Sequence, residues 1–298
     1  MTCPRSASPS KPVAGASSAR KLMWMNVDTT TVAVGDLEFT VRVGGPANGP
    51  VVLLLHGFPS SGTCFDQIVP RLHESGLRTV VPDQRGYSPG ARPPNVEDYR
   101  IEHLVSDAVG ILDGLGINYA LVVGHDWGAI VAWHLAGRHP GRLTGLVAVS
   151  VGHPSAIAGA LSQSTDQRER SSYIPMLIDP ASEDRLLADD AAFLRGLLPD
   201  DSCAPLLERA GLTGATNWYR ANFSGDIAAN MACAPVEVPT TMVWSDGDTA
   251  LGREQAEASS RFVYADYRFC ELPGVDHWIP QNAAPALASE IALRSAVF

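Results

Sequence analysis

A carboxylate set between two glycines at the end of an apolar run is the first chemically suggestive feature of this 298-residue sequence. In Tyr119-Ala-Leu-Val-Val-Gly-His-Asp-Trp-Gly-Ala-Ile-Val-Ala-Trp133 the apolar run reads as a strand. Gly124-His125-Asp126-Trp127-Gly128 then reads as a sharp turn and the remainder as a helix. The spacing is that of the G-x-S-x-G elbow, with Asp126 where serine would stand. Small residues flank the reactive position because such a turn brings backbone against backbone. A plainer alternative makes Asp126 the N-cap of the following helix.

Three companions favour chemistry over capping. Leu55-His56-Gly57-Phe58-Pro59 follows the apolar run Val51 to Leu55. The N–H of Phe58 can there join the N–H of Trp127, next after the nucleophile, to bind an oxyanion. Asp248 ends Trp244-Ser-Asp-Gly-Asp, and His277 lies in Leu-Pro-Gly-Val-Asp-His-Trp, each in a loop after a strand candidate. Asp126, Asp248 and His277 thus follow the chain order nucleophile, acid, base. Asp246 and Asp276 are nearby competitors; Asp248 is preferred because it ends the turn, Asp246 stays open as the alternative acid, and Asp276 reads as a surface charge.

These residues need a scaffold that gathers loops on one edge. Strand candidates are Thr31 to Val34, Leu37 to Val43, Val51 to Leu55, Thr79 to Val81, Ala120 to Val123, Leu146 to Val149, Thr240 to Trp244 and Arg268 to Leu272. The first two flank a Gly-Asp turn and predict an antiparallel hairpin. Several others are continuously apolar, as in strands buried on both faces of a parallel sheet. Helical patterns cover Thr63 to Glu74, Val96 to Leu115, Trp127 to Arg138, Gly252 to Phe262 and Pro285 to Val297, so the alternation predicts an α/β fold. No convincing strand falls between about Gly152 and Val238, which reads as a helical insertion. The Ser-, Ala- and Pro-rich first 22 residues read as a flexible tail and not a signal peptide.

Composition narrows the chemistry further. Lys plus Arg number 22 against 32 Asp plus Glu, a net charge of −10 that disfavours a nucleic-acid partner. The only lysines, Lys11 and Lys21, lie in the tail, which excludes Schiff-base and P-loop chemistry. The arginine bias is a codon-level sign of a GC-rich, bacterial genome. Five cysteines without a C-x-x-C pair suggest a reduced, cytoplasmic protein and no zinc site. Cys64 and Cys270 read as small core residues, Arg85 as a structural ion pair, and His125 as a side chain pointing away from Asp126. No apolar run approaches the roughly 20 residues of a membrane helix.

Over about residues 31 to 298 the sequence resembles the epoxide hydrolases of the α/β-hydrolase fold, in the branch with an aspartate nucleophile. The resemblance rests on His56-Gly57-Phe58-Pro59, Asp83-Gln84-Arg85-Gly86-Tyr87, Gly124 to Gly128, Asn217-Trp218-Tyr219-Arg220, Asp248 and His277. It implies a mostly parallel eight-stranded sheet, with a hydrolase core at 23–151 and 238–298 and a helical cap at 152–237. The cap of such enzymes supplies two tyrosines; Tyr219 matches well, and Tyr173 in Ser171-Ser-Tyr-Ile-Pro-Met176 is the second.

The implied reaction opens an epoxide to a vicinal diol through an alkyl ester on Asp126. Water activated by His277 and Asp248 then hydrolyses the ester, while Tyr173 and Tyr219 donate to the epoxide oxygen. No cofactor or metal is needed. The expected partner is a small apolar epoxide touching Phe58, Trp127, Trp218 and Trp278, and the enzyme is expected as a monomer or homodimer. Haloalkane or haloacid dehalogenases share the nucleophile and are the nearest rivals. Phe58 stands where haloalkane dehalogenases commonly carry Asn, and no arginine follows Asp126 as fluoroacetate dehalogenases favour. A non-catalytic binding protein of the same fold is a third reading.

Overall fold

The strand that leads to Asp126, β5 (Ala120–His125), is buried along its whole length. Its side chains alternate between two cores: Ala120 and Val122 face one, Leu121 and Val123 the other. This identity as a two-faced central strand explains why the run is continuously apolar. The computed structural model describes residues 27–198 and 200–296. The expected tail at 1–22 and the expected helix end at Val297 lie outside the described residues.

Seven further strands join β5 in one sheet: β1 (Val27–Val34), β2 (Leu37–Gly44), β3 (Val51–Leu55), β4 (Arg78–Pro82), β6 (Leu143–Val149), β7 (Thr240–Ser245) and β8 (Tyr267–Leu272). Their order is β1-β2-β4-β3-β5-β6-β7-β8. The β1–β2 hairpin is antiparallel, β2 is antiparallel to β4, and all later pairings are parallel. The parallel arrangement brings the loops after β3, β5, β7 and β8 to one edge of the sheet.

Helices cover both faces. α1 (Val69–Glu74) packs Val69 and Leu72 into one core, while α2 (Ile101–Gly114) and α3 (Trp127–Arg138) pack into the other. In α2, Leu104, Val105, Ala108, Ile111 and Leu112 form the buried stripe that a 3.6-residue period requires. Two expected helices begin late. Pro70 lacks an N–H and sits at the start of α1, after a separate turn at Gly62–Phe65. Arg100 is extended before α2, and the side chain of Asn222 accepts the Ile101 N–H at 3.0 Å.

Six α-helices among the described residues lie between β6 and β7: α4 (Pro154–Gln163), α5 (Thr165–Arg170), α6 (Ile174–Ile178), α7 (Ser182–Leu197), α8 (Arg209–Asn222) and α9 (Ile227–Asn230). Among the described residues this segment has no strand, only an isolated bridge between Val236 and Val263. α7 is broken at Ala188–Ala191, where Asp189, Asp190 and Ala191 have φ of 51, 57 and 56°. Arg220 ties α8 to α7 by a two-pronged pair with Glu183, at 2.7 and 2.8 Å. Burial alone would raise the Glu183 carboxyl, but Arg220 overrides it and holds the pKa at about 2. α10 (Arg253–Ala258), α11 (Ile279–Asn282) and α12 (Ala284–Ser295) complete the chain, α12 beside α1 in the second core. No helix among the described residues is long and apolar enough to cross a membrane.

Candidate active site

Asp126 sits at the junction of β5 and α3 with φ 54° and ψ −123°. A non-glycine residue held there costs about 1–3 kcal/mol, which surrounding contacts must offset. The flanking glycines are required by space: a Cβ on Gly124 would lie 2.1 Å from the Gly128 carbonyl oxygen, and one on Gly128 2.0 Å from that of Leu55. The carboxylate makes no capping bond to α3. Its Oδ1 instead accepts the Phe58 N–H at 2.8 Å, and the Trp127 N–H also favours its charge. The N-cap alternative therefore fails, and of the two backbone donors expected from the sequence the Phe58 N–H is hydrogen-bonded to this carboxyl group.

His277 faces the other oxygen, with Nε2 3.5 Å from Asp126 Oδ2. Its Nδ1 lies 2.8 Å from Asp248 Oδ2. The remaining Asp248 oxygen accepts the N–H groups of Ala250 and Leu251 at 2.8 and 2.9 Å, so the carboxylate is fixed from both ends. Asp246 instead receives the Gly274 N–H in an exposed turn, which removes it as the partner. Asp276 is more than a surface charge: it accepts bonds from Trp278 N–H and from Asn282, shaping the loop that carries His277.

The electrostatics are those of a preformed ion pair. Burial pulls the His277 pKa down, but Asp248 and Asp126 outweigh it and raise the value to about 10. Burial pushes the Asp126 carboxyl up, and the His277 bond and charge bring it below the usual carboxylate range. The resting pair is thus an anion beside an imidazolium. His125, expected to turn away from Asp126, uses Nε2 to hold the His277 carbonyl at 2.9 Å. Burial and the neighbouring His277 charge lower its pKa to about 4, so the ring is neutral with Nε2–H as donor.

Above the carboxylate lies a cavity of about 230 Å³, bordered by Phe58, Tyr173, Met176, Tyr219, His277 and Trp278 among others. Tyr173 and Tyr219 are edge-to-face neighbours with ring centroids 6.4 Å apart. Burial, with the charge of Asp126 contributing, pushes both phenols above their ordinary value and keeps them protonated. Trp127 stacks edge-on against Tyr219 and borders a second, smaller space beside the same carboxylate. Trp218 is a correction. It was expected against the substrate, but it borders neither space: its Nε1–H donates to the Arg85 carbonyl at 2.9 Å and its ring packs on Tyr87. Successive helical residues point about 100° apart, so a cavity-facing Tyr219 turns Trp218 into the core.

Residues without an obvious signature hold these loops. Gln84 braces the Phe58 loop, its side chain donating to the His56 carbonyl at 2.6 Å while its N–H meets His56 Nε2 at 3.1 Å. Arg85 forms the expected structural pair, two-pronged to Asp107 at 2.7 Å. Gln167 was not foreseen. Buried in α5, it accepts the Gly252 N–H at 2.8 Å and donates to the Ala250 carbonyl at 3.0 Å, while Arg170 donates to the Asp248 carbonyl. The Asp248 loop is thereby stapled to the helix that leads into Tyr173. Its only sequence signal was a polar residue at a position that proves buried.

Comparison with known proteins agrees with this architecture. The profile of the alpha/beta hydrolase fold matches residues 50–233. The chain belongs to the α/β-hydrolase family. It is 30% identical over 276 residues to the AB hydrolase superfamily protein YfhM of Bacillus subtilis, covering 88% of this chain and 95% of that one. It is 29% identical to Epoxide hydrolase A of Mycobacterium tuberculosis, covering 86% of this chain and 92% of the relative. Among solved structures, the Vigna radiata epoxide hydrolase VrEH1 superposes with a TM-score of 0.78 at 26% identity, covering 91% of this α/β hydrolase and 99% of VrEH1.

Proposed function

We propose that this α/β hydrolase converts epoxides to vicinal diols with Asp126 as nucleophile, His277 and Asp248 as the water-activating pair, and residues 152–237 as the cap. The observation that carries the reading is that two protonated phenols, Tyr173 and Tyr219, border the same cavity as the Asp126 carboxylate. A strained ether needs a nucleophile at carbon and a proton donor at oxygen, and this cavity offers both. The family likeness to named epoxide hydrolases points the same way. Displacement of a halide gives the phenol pair no comparable task.

In the first step Asp126 Oδ2 bonds to one ring carbon and the carbon–oxygen bond breaks. One phenol passes its proton to the departing oxygen. Forming the ester removes the negative charge that raised the His277 pKa, so the imidazolium yields its proton to restore the phenol. That proton transfer converts His277 into the neutral base the second step requires. His277 then takes a proton from water, and the hydroxide adds to the ester carbonyl carbon of Asp126. The charge that develops on Oδ1 meets the N–H groups of Phe58 and Trp127, each such donor worth roughly 3 kcal/mol in comparable sites. Collapse expels the diol oxygen, which takes the proton of the former hydroxide. Asp126 is left as carboxylate beside imidazolium, as at rest.

The test is His277→Gln treated with styrene oxide. The variant should gain the mass of one epoxide on a peptide containing Asp126 and stop there. Unchanged intact mass, with the fold retained by circular dichroism, overturns the assignment.

A further inference from the structure

Two separate spaces meet at the reacting groups. Asp126, Tyr173, Tyr219 and Ala250 border both the 230 Å³ cavity and a second space of about 30 Å³. The larger extends toward Met176, Phe193, Leu197 and Trp278. The smaller is walled by Ile130, Val151, Ile157, Leu161 and Phe223. Its walls are firm: Ile130, Val151 and Ile157 are buried, and Phe223 is wedged edge-on against Trp127. A site for one water needs about 10–15 Å³ on the same measure, so the smaller space admits a group the size of a methyl or ethyl.

An epoxide oxygen gripped by the two phenols, with one ring carbon facing Asp126, directs substituents on its two carbons to opposite sides. From this geometry, and resting on the epoxide reading above, we infer that the substrates are unsymmetrical epoxides. One ring carbon carries a bulky apolar arm, housed between Met176, Phe193, Leu197 and Trp278. The other carries hydrogen, methyl or ethyl, housed against Ile157 and Leu161. Epoxides with two large arms run into the buried Ile130, Val151 and Ile157, which cannot shift without displacing core side chains. Ile157 and Leu161, both on α4, are the residues that set the limit.

The experiment compares trans-β-methylstyrene oxide with trans-stilbene oxide, which share one phenyl arm and differ in the second substituent. The wild-type enzyme should favour the methyl compound in kcat/KM by at least ~100-fold, since a misfit of this size exceeds that of a few methylenes. The Ile157→Ala/Leu161→Ala variant should shift that ratio toward stilbene oxide by at least ~10-fold. Leu161→Phe, which fills the space, should lose trans-β-methylstyrene oxide relative to unsubstituted styrene oxide, and it keeps the test open if the double variant does not fold. Wild-type rates within threefold for the two disubstituted epoxides, or a ratio unmoved in both variants, would overturn the inference. Failure of the epoxide reading looks different: no epoxide of any shape is hydrolysed and His277→Gln gains no mass.

Discussion

Replacing Asp126 with Asn isolates the electrostatic step on which the two proposed half-reactions turn. The substitution keeps the size of the side chain but removes its charge, as ester formation does. At the 3.5 Å separation of Nε2 and Oδ2, unit charges interact by about 4.7 kcal/mol at an effective dielectric of 20 and about 1.2 kcal/mol in water. At roughly 1.4 kcal/mol per pKa unit, the imidazolium should lose between about one and three units. From the wild-type value of about 10 it should therefore fall toward the range in which a base works at neutral pH. Long-range 1H–15N NMR of the imidazole nitrogens across pH 5–11 reads both proteins directly. A wild-type His277 that titrates near its ordinary 6.5, or one that the variant leaves unmoved, refutes the reasoning. Stability supplies a second reading. A folded pKa raised above 6.5 contributes stability that is fully present below that pH and fades as pH climbs through about 10, and Asp126→Asn should narrow that window.

Tyr219→Phe and Tyr173→Phe should each lower the single-turnover alkylation rate by ~100-fold while leaving hydrolysis of a preformed ester nearly unchanged, as rapid-quench kinetics can separate. Equal losses in both steps would argue against proton donation. Gln167→Leu strands the buried Gly252 N–H and Ala250 carbonyl, so it should cost ~1–3 kcal/mol in urea unfolding and lower kcat. Arg220→Met leaves Glu183 unpaired and should cost ~3 kcal/mol at pH 7. Because the Glu183 pKa is depressed to about 2, the pair's contribution is present above 4.5 and lost as pH falls through about 2, so the gap to wild type should shrink in acid.

That Asp126, Asp248 and His277 would meet was legible because each punctuates a strand end, and strand ends are what apolar runs reveal. Asp126 declared itself through Gly124 and Gly128, whose side chains nothing larger than hydrogen could replace. The choice of Asp248 over Asp246 rested on its place at the end of a turn, and the distance to His277 agrees. Orientation about a helix was harder: Trp218 and Tyr219 are adjacent in sequence but point about 100° apart, and only the packing on Tyr87 and Arg85 decides which of them turns into the core. Supports such as Gln167 and His125 act through bonds to residues 83 to 152 positions away, which no local pattern records. The break at Asp189 to Ala191 interrupts a stretch whose composition suits an unbroken helix.

The most direct test of the aspartate as nucleophile is a single turnover in H2-18-O with enzyme in excess over styrene oxide, followed by mass spectrometry of the diol and of the peptide that contains Asp126. The mechanism predicts unlabelled diol and one 18-O in the Asp126 carboxylate. Label in the first diol, with an unlabelled carboxylate, would mean that water attacks the epoxide directly and that the ester never forms.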